Sequence, residues 1–462
     1  MFLKSISIKN YKLFNNKFVV DDFNTPDSTN EGTGLTLIVG ENGCGKTTIL
    51  DSIALSMLDY KAETFNIYDF NSYEKDVEIE FYSNEDFKVL GTMPKNSFMA
   101  KGFQFTAKLR NRTQKNYLSS PVVSDQKYIS TNPDKPDKNS PDLRLSVNNP
   151  FAGKRFSETD ILYLDKNRLF QTKSGTYNNT RFDKLMNDFN FQYIKNSETI
   201  EDLNIHLNET IKKDKKISNE FLGNAIKDFE EISGFKVWLD FIDNYRPFKN
   251  ASFVLKGNDN NQIPLSSIGS GFEMMFSLIY SYYLALQNGK KLIILIDEPE
   301  LHLHPDIQKK FVQFLLNISK NVQVIISTHS PILVKQLMYN DNVKSIIVNK
   351  DKTISTVSDR KLPYLSANEI NYIAFGFATE EYHNELYEEI KSIHGSNLGY
   401  KDFDNSYFVN TKGELKDSPW MTHPNEVSKH TYIRNKIHHR AENGEATYDE
   451  LKNSIEFMRT CL

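Results

Sequence analysis

Eight consecutive residues near the N-terminus, Gly40-Glu41-Asn42-Gly43-Cys44-Gly45-Lys46-Thr47, satisfy the spacing G-x-x-x-x-G-K-[ST], and Thr48 follows them. Glycines at these positions let successive backbone N–H groups point into a concave nest, and a helix beginning there adds about half a positive charge at its N-terminus. Such a cradle suits a polyphosphate: Lys46 would reach the outer phosphates and the Thr47 hydroxyl would bind Mg²⁺. A second group, Asp297-Glu298-Pro299-Glu300, closes an apolar run. A buried strand does not tolerate an unpaired charge, so acids at its carboxyl end belong beside a metal or in a polar cleft. Asp297 is expected to hold Mg²⁺ through water and Glu298 to polarise the attacking water. A third apolar run ends in Ser327-Thr328-His329-Ser330, and its order after the acids predicts that His329 hydrogen-bonds a terminal phosphate. Lys46, Glu298 and His329 are therefore the candidate catalytic groups, Thr47 and Asp297 the metal side, and ATP with Mg²⁺ the expected ligands.

The elements that must position these groups follow from apolar patterning. Gly34 to Gly40 is a continuous apolar run, and Ile49, Leu50, Ile53, Met57 and Leu58 recur at helical spacing, so the order strand, glycine turn, helix is predicted. Phe2, Leu3, Ile6 and Ile8 alternate as a half-buried strand, as do residues Val77 to Phe81. Ile161 to Leu164, Leu292 to Ile296 and Val322 to Ile326 read as buried strands; Phe272 to Leu286 and Ile307 to Ile318 read as helices. Strands alternating with helices predict an α/β fold, a mostly parallel sheet with helices on both faces. Residues 1–170 form a first lobe carrying the phosphate loop, within which 119–150, rich in Ser, Asn, Asp and Pro, is expected to be a mobile surface loop. Helical spacing at Leu203, Ile205, Leu207 and Ile211 predicts a helical insertion over 171–262. A second lobe follows over 263–360, ending in a hairpin, and 361–462 reads as an α-rich C-terminal appendage.

Composition narrows the class. The 462 residues carry 56 Lys+Arg against 60 Asp+Glu, a net charge of −4, so any nucleic-acid contact must come from a local patch rather than the field of the whole molecule. Lys212-Lys-Asp-Lys-Lys216 is the compact basic run, and a solvated helix face accounts for it. The longest apolar stretch, around Phe276 to Leu286, is broken by Ser and Tyr, which excludes a membrane span. The N-terminus lacks a secretory pattern and Cys44 and Cys461 cannot build a disulfide framework, so a cytoplasmic, reducing location is expected.

In this order, the phosphate loop, the Asp-Glu-Pro-Glu strand end and the Ser-Thr-His-Ser strand end resemble the ABC-type ATPase heads of the RecF, SMC and OLD-like families. The resemblance covers about residues 1–60 and 160–350, and implies an antiparallel β subdomain beside the main sheet. Ser266-Ser-Ile-Gly-Ser270-Gly271-Phe-Glu273 occupies the place of the family's signature. By analogy Ser270, Gly271 and Glu273 complete the nucleotide pocket of the opposite subunit, so that two heads clamp two ATP molecules in a homodimer or higher homo-oligomer. Leu301-His302-Leu303-His304-Pro305 matches the loop of RecF and OLD-like heads, where the histidines serve turn and dimer contacts. A departure follows Leu164: transporter heads present a glutamine there, whereas this chain has Asp165-Lys166-Asn167-Arg168, and Gln171 stands too far along.

The chain also resembles the PtuA-type ATPase subunits of Septu anti-phage modules, including those attached to retrons, in Ile268 to Met275 and in Tyr432-Ile-Arg434-Asn435-Lys-Ile-His438-His439. That resemblance implies a nucleotide-controlled sensor or regulatory subunit acting with an HNH-type nuclease. Arg434, His438 and His439 satisfy the R-x(4)-H spacing of HEPN ribonucleases, in which Arg stabilises phosphate charge and His transfers protons. On a helix Arg434 and His438 share a face. A polar helix end that fixes a small bundle or a partner surface explains the same residues. Two other readings are a self-contained OLD-like nuclease, whose Glu-Gly and paired-Asp strand ends do not appear after residue 350, and a RecF-like DNA-repair ATPase binding duplex DNA with steep salt dependence.

Overall fold

The computed structural model describes residues 1–57, 67–90, 98–111, 125–129, 143–148, 155–156, 159–164, 220–241, 251–256, 262–264, 270–287, 289, 291–301, 303–338, 340–355, 360–364, 366–420, 423–439 and 444–462. The expected helical spacing at Leu203 to Ile211, the basic run at Lys212, the segment Asp165 to Gln171 and His302 lie outside them. The chain divides into two compact units, one of residues 1–38 and 43–344, the other of residues 39–42 and 345–462.

In the first unit, β1 (Leu3–Lys9) buries Ile6 and Ile8 and pairs antiparallel with β2 (Phe18–Val20). β3 (Leu35–Val39) is buried at every residue, which a strand tolerates only where both faces are covered. α1 (Lys46–Met57) follows the glycine turn and buries Ile49, Leu50 and Ile53. The strands β4 (Val77–Leu90), β5 (Phe98–Asn111), β6 (Asp125–Ile129), β7 (Leu143–Asn148) and β8 (Arg155–Phe156) extend the first pair into an antiparallel sheet. Its order is β2-β1-β4-β5-β7-β6, with β8 on β4. This is the antiparallel subdomain that the ABC-type resemblance implies. β6 and β7 fall inside 119–150, where a surface loop is expected. Leu143, Leu145 and Val147 alternate with Arg144 and Ser146, a period-two signal short enough to be masked by the flanking turn residues.

β9 (Thr159–Leu164) is followed among the described residues by α2 (Glu220–Ser233), β10 (Val237–Phe241), β11 (Ala251–Lys256) and β12 (Gln262–Pro264). The last three form an antiparallel sheet, so the described part of 171–262 is not helical throughout. Val237-Trp-Leu-Asp-Phe241 and Ser252-Phe-Val-Leu255 are dense in branched and aromatic residues, which favour strands. Then come α3 (Ser270–Gln287), β13 (Lys291–Asp297), α4 (Pro305–Ile318), β14 (Gln323–Ser327) and α5 (Pro331–Met338). β3, β14, β13 and β9 lie side by side, all parallel. The register sets Ile38 opposite Ser327, Ser327 opposite Asp297, and Ile296 opposite Leu164. Carboxyl ends of neighbouring strands therefore finish on one edge, where open parallel sheets bind ligands.

The second unit holds the hairpin β15 (Lys344–Val348) and β16 (Ile354–Ser355), which the sequence reading assigned to the preceding lobe. It continues with α6 (Ala367–Phe375), α7 (Glu380–Gly395), α8 (Tyr400–Phe403), β17 (Ser418–Trp420), β18 (His423–Val427), α9 (Lys429–His438) and α10 (Tyr448–Cys461). Ser366 and Thr379 cap α6 and α7, and Thr447 with Glu450 forms a capping box at α10. Tyr382, Leu386, Tyr387, Phe403, Phe408 and Ile455 are fully buried in its core. Among the described residues no helix is long and apolar enough to cross a membrane.

Candidate functional site

The loop between β3 and α1 has the glycines its shape requires. Gly43 has φ +77 and Gly45 φ +116, regions that side-chain-bearing residues rarely adopt. A Cβ on Gly45 would also come 2.6 Å from Cζ of Phe14, so the Tyr11–Phe14 turn closes over the loop only because nothing projects there. Lys46 and Thr48 are buried, whereas Asn42 and Gly43 are exposed. Glu41, grouped with the second unit, makes an ion pair with Lys350.

The parallel register carries the acids and the histidine to the same edge as Lys46 and Thr47. The Thr47 hydroxyl donates to Asp297 Oδ2 at 2.9 Å, and the Ser327 hydroxyl donates to Asp297 Oδ1. Asp297 is fully buried, and that desolvation raises its pKa above the usual carboxylate value while the two hydroxyl donors pull it down. Lys46 Nζ lies 3.4 Å from His329 Nδ1, and burial holds its ammonium below the usual lysine range against the pull of Cys44, Asp297 and Glu298. Glu298 Oε1 is 3.7 Å from His329 Nε2, both side chains being partly exposed. Glu298 itself has φ +53, a conformation that costs a non-glycine residue on the order of 1–3 kcal/mol. Its N–H donates to Ser327 O at 2.9 Å and its carbonyl accepts from Leu301 at 3.1 Å, so the turn after β13 is held in this strained form.

A buried carboxylate with two hydroxyls around it is a hard-oxygen donor set that fits Mg²⁺. Asp297, Glu298, the buried Lys46 ammonium and His329 stand together here, a grouping chemically able to meet a phosphate and to polarise a water.

Ser270 opens α3, Gly271 is buried in it and Glu273 lies in its first turn. His304 is the N-cap of α4, its ring accepting from the Asp306 N–H. At the C-terminus, the Arg434 guanidinium stacks 3.6 Å from the Tyr400 ring centroid and approaches Glu388 at 3.8 Å. His438 and His439 are exposed at the end of α9, and burial followed by Arg434 lowers the His438 pKa.

Three participants escape the motif reading. Ser327 and Glu300 hold other members of the site. Asp51 receives Lys12 Nζ at 2.5 Å and the Tyr163 hydroxyl at 2.6 Å, and its charge helps to raise the Asp297 pKa. Asp51 stands four residues after Thr47 on α1, a spacing that places both on one helix face and could have flagged it.

A family model described as an AAA ATPase domain matches residues 1–334. The chain is 26% identical over 425 residues to the retron Vc95 probable ATPase of Vibrio cholerae serotype O1 biovar El Tor, covering 78% of this chain and 76% of that one. It is 23% identical over 421 residues to endonuclease GajA of Bacillus cereus strain HuB5-5, covering 74% and 60%. It is 23% identical over 375 residues to the Septu protein PtuA of Bacillus mycoides strain KBAB4, covering 78% and 42%. The chain thus spans less than two thirds of the length of the last two.

Proposed function

The chain belongs to the AAA ATPase domain family, and from that premise we propose that its ATPase serves as the nucleotide-controlled subunit of an anti-phage defence assembly that includes a nuclease. The observation that carries the site reading is the meeting of Lys46 Nζ with His329 Nδ1 at 3.4 Å beside Thr47 Oγ1 and Asp297 Oδ2 at 2.9 Å. The loop amides and Lys46 bind the β- and γ-phosphates. Glu298, fixed by its turn, takes the proton of the attacking water, and His329 donates a hydrogen bond to the terminal phosphate, so that the ring reports whether that phosphate is present. Thr47 and Asp297 would hold Mg²⁺, which when bound neutralises phosphate charge. Desolvation around Asp297 strengthens each of these interactions relative to water.

Ser270, Gly271 and Glu273 at the start of α3 are assigned to the nucleotide of a second copy, which makes the active form a homodimer or higher oligomer. The names retron ATPase, endonuclease and Septu protein among the relatives support a defence role in which a nuclease takes part; that this nuclease is a partner of HNH type rests on the PtuA-type resemblance of the sequence. Arg434 is engaged by Tyr400 and Glu388, which favours a bundle-fixing role for the Arg434, His438 and His439 group over ribonuclease chemistry.

The test is ATP turnover and nuclease activity of the protein purified together with the product of its neighbouring gene. Lys46→Ala should abolish nucleotide binding, and Glu298→Gln should bind ATP but lose roughly 10²-fold or more in kcat. Nuclease activity indifferent to ATP and to both substitutions overturns the regulatory reading, and intact nucleotide affinity in Lys46→Ala overturns the site.

A further inference from the structure

The tetrapeptide after β13 contains a second glutamate that the chemistry above does not use. Glu300 Oε1 accepts two hydrogen bonds at once, from the Thr328 hydroxyl at 2.8 Å and from the His329 backbone N–H at 2.9 Å. The Thr328 hydroxyl in turn accepts from the Ser330 N–H at 2.9 Å, and the Thr328 N–H donates to Ile38 O at 3.2 Å. Thr328 is fully buried. His329 is therefore flanked by amides whose direction is set, directly or through one hydroxyl, by a single carboxylate oxygen. Immediately beyond, Ser330 starts the turn into α5, accepting from the Val334 N–H at 3.0 Å.

Glu300 is itself anchored. Its carbonyl accepts from the Leu303 N–H at 3.2 Å and from Gln308 Nε2 at 3.2 Å, which ties it to the first turn of α4. Its other carboxylate oxygen, Oε2, is buried and has no hydrogen-bond partner among the described residues. Retaining a half-satisfied carboxylate is costly unless the satisfied oxygen does something no apolar side chain can. Here that oxygen joins the ends of β13 and β14 at the residue whose ring lies between Lys46 and Glu298.

We propose that Glu300 is a positioning residue for ATP hydrolysis, holding the Thr328–His329 backbone so that the His329 ring faces the terminal phosphate. The two glutamates of one strand end then divide the work: Glu298 acts on water, and Glu300 acts on the histidine. The inference rests on the reading of His329 given above.

The test is a double-substitution cycle on the full-length protein, with kcat, KM and nucleotide affinity measured for Glu300→Ala, Glu300→Gln, His329→Ala and the Glu300→Ala/His329→Ala pair. A backbone shift of about 1 Å at a reacting group costs up to roughly 10²-fold, so Glu300→Ala should lower kcat by about 10- to 100-fold. KM and affinity for a fluorescent ATP analogue should stay within about threefold, the signature of an interaction used only in the transition state. Glu300→Gln, whose amide oxygen can accept both donors, should recover most of the lost kcat. The pair should be no slower than His329→Ala alone, because Glu300 acts through the histidine. Unchanged turnover in Glu300→Ala, no rescue by Gln, or losses that multiply in the pair overturn the proposal. Full turnover in His329→Ala instead sinks the reading of the histidine on which it rests. If Glu300→Ala does not fold, Thr328→Val, which removes the hydroxyl that donates to Glu300 and accepts from the Ser330 N–H, takes its place in the cycle with His329→Ala: a lowered kcat that does not multiply with His329→Ala supports the proposal, and unchanged turnover or multiplying losses overturn it.

Discussion

Acidification between pH 7.5 and 5 should destabilise the C-terminal unit through two buried histidines. His383 Nε2 and His430 Nδ1 share the Ser454 hydroxyl, at 2.9 and 2.7 Å. All three side chains are buried, and burial pushes His383 down to about 3 and His430 down to about 4 from the usual 6.5. Neighbouring charges add to the effect: His430, Arg434 and His438 for His383, Lys429 for His430, opposed at His430 by Asp417. In the folded unit both rings stay neutral at pH 5, whereas in the unfolded chain both bind a proton below about 6.5. The unfolded state thus binds more protons, and stability is complete above pH 6.5 and falls as pH drops toward the folded values. At pH 5 each histidine accounts for about 2 kcal/mol, about 4 kcal/mol together. Glu414, 3.4 Å from His430 Nε2 and raised by burial, works in the opposite direction at the acid end of this range. The assay is urea unfolding followed by Trp420 fluorescence in a Trp238→Phe background, which leaves one tryptophan, in β17 of this unit. With a slope of about 2–3 kcal/mol per molar, the midpoint should fall by roughly 1–2 M between pH 7.5 and 5. In His383→Gln/His430→Gln most of that pH slope should vanish, whatever the absolute stability. A flat wild-type profile, or an undiminished slope in the double variant, refutes the reasoning.

Other perturbations have equally direct outcomes. Gly45→Ala places a methyl 2.6 Å from Phe14 at φ +116, and should abolish nucleotide binding in a calorimetric titration; Phe14→Ala in addition should not restore it, because the backbone strain remains. Thr447→Ala removes the hydroxyl that accepts from the Glu450 N–H and should lower the thermal stability of the C-terminal unit by about 1 kcal/mol, without altering ATP turnover. Gly376→Ala, at φ +64 and with its Cβ 2.7 Å from Glu41 Oε1, should cost about 1 kcal/mol or more in the same melts.

The residues that could be read from sequence are those whose role is fixed by position along a strand. Asp297 directly follows the apolar run Leu292 to Ile296, and His329 stands just beyond the end of the mostly apolar run Val322 to Ile326, so once the strands are parallel and in register, their ends must meet. The antiparallel sheet was harder to anticipate, because the alternation in β7 covers six residues and lies among prolines and asparagines that argue for turns. In the C-terminal unit, the spacing of Arg434 and His438 correctly places them on one helix, yet says nothing of Tyr400. That ring comes from a separate short helix and takes the guanidinium face. Long-range partners of this kind are set by packing, and local pattern does not encode them.

Glu300 is the sharpest instance, since in the string Asp-Glu-Pro-Glu it differs in no local respect from Glu298. What separates the two is backbone direction. The positive φ at Glu298 turns the chain so that one carboxylate points to the His329 ring and the next returns under the His329 amide. Pro299 between them has no N–H to leave unsatisfied in so tight a turn. The strain at Glu298 and the anchor at Glu300 are then two parts of one device. The strained residue aims the Glu298 carboxylate at the His329 ring, and the hydrogen bonds made by Glu300, three residues beyond β13, tie the turn to the segment that carries that ring. Relaxing either end would loosen the geometry of both.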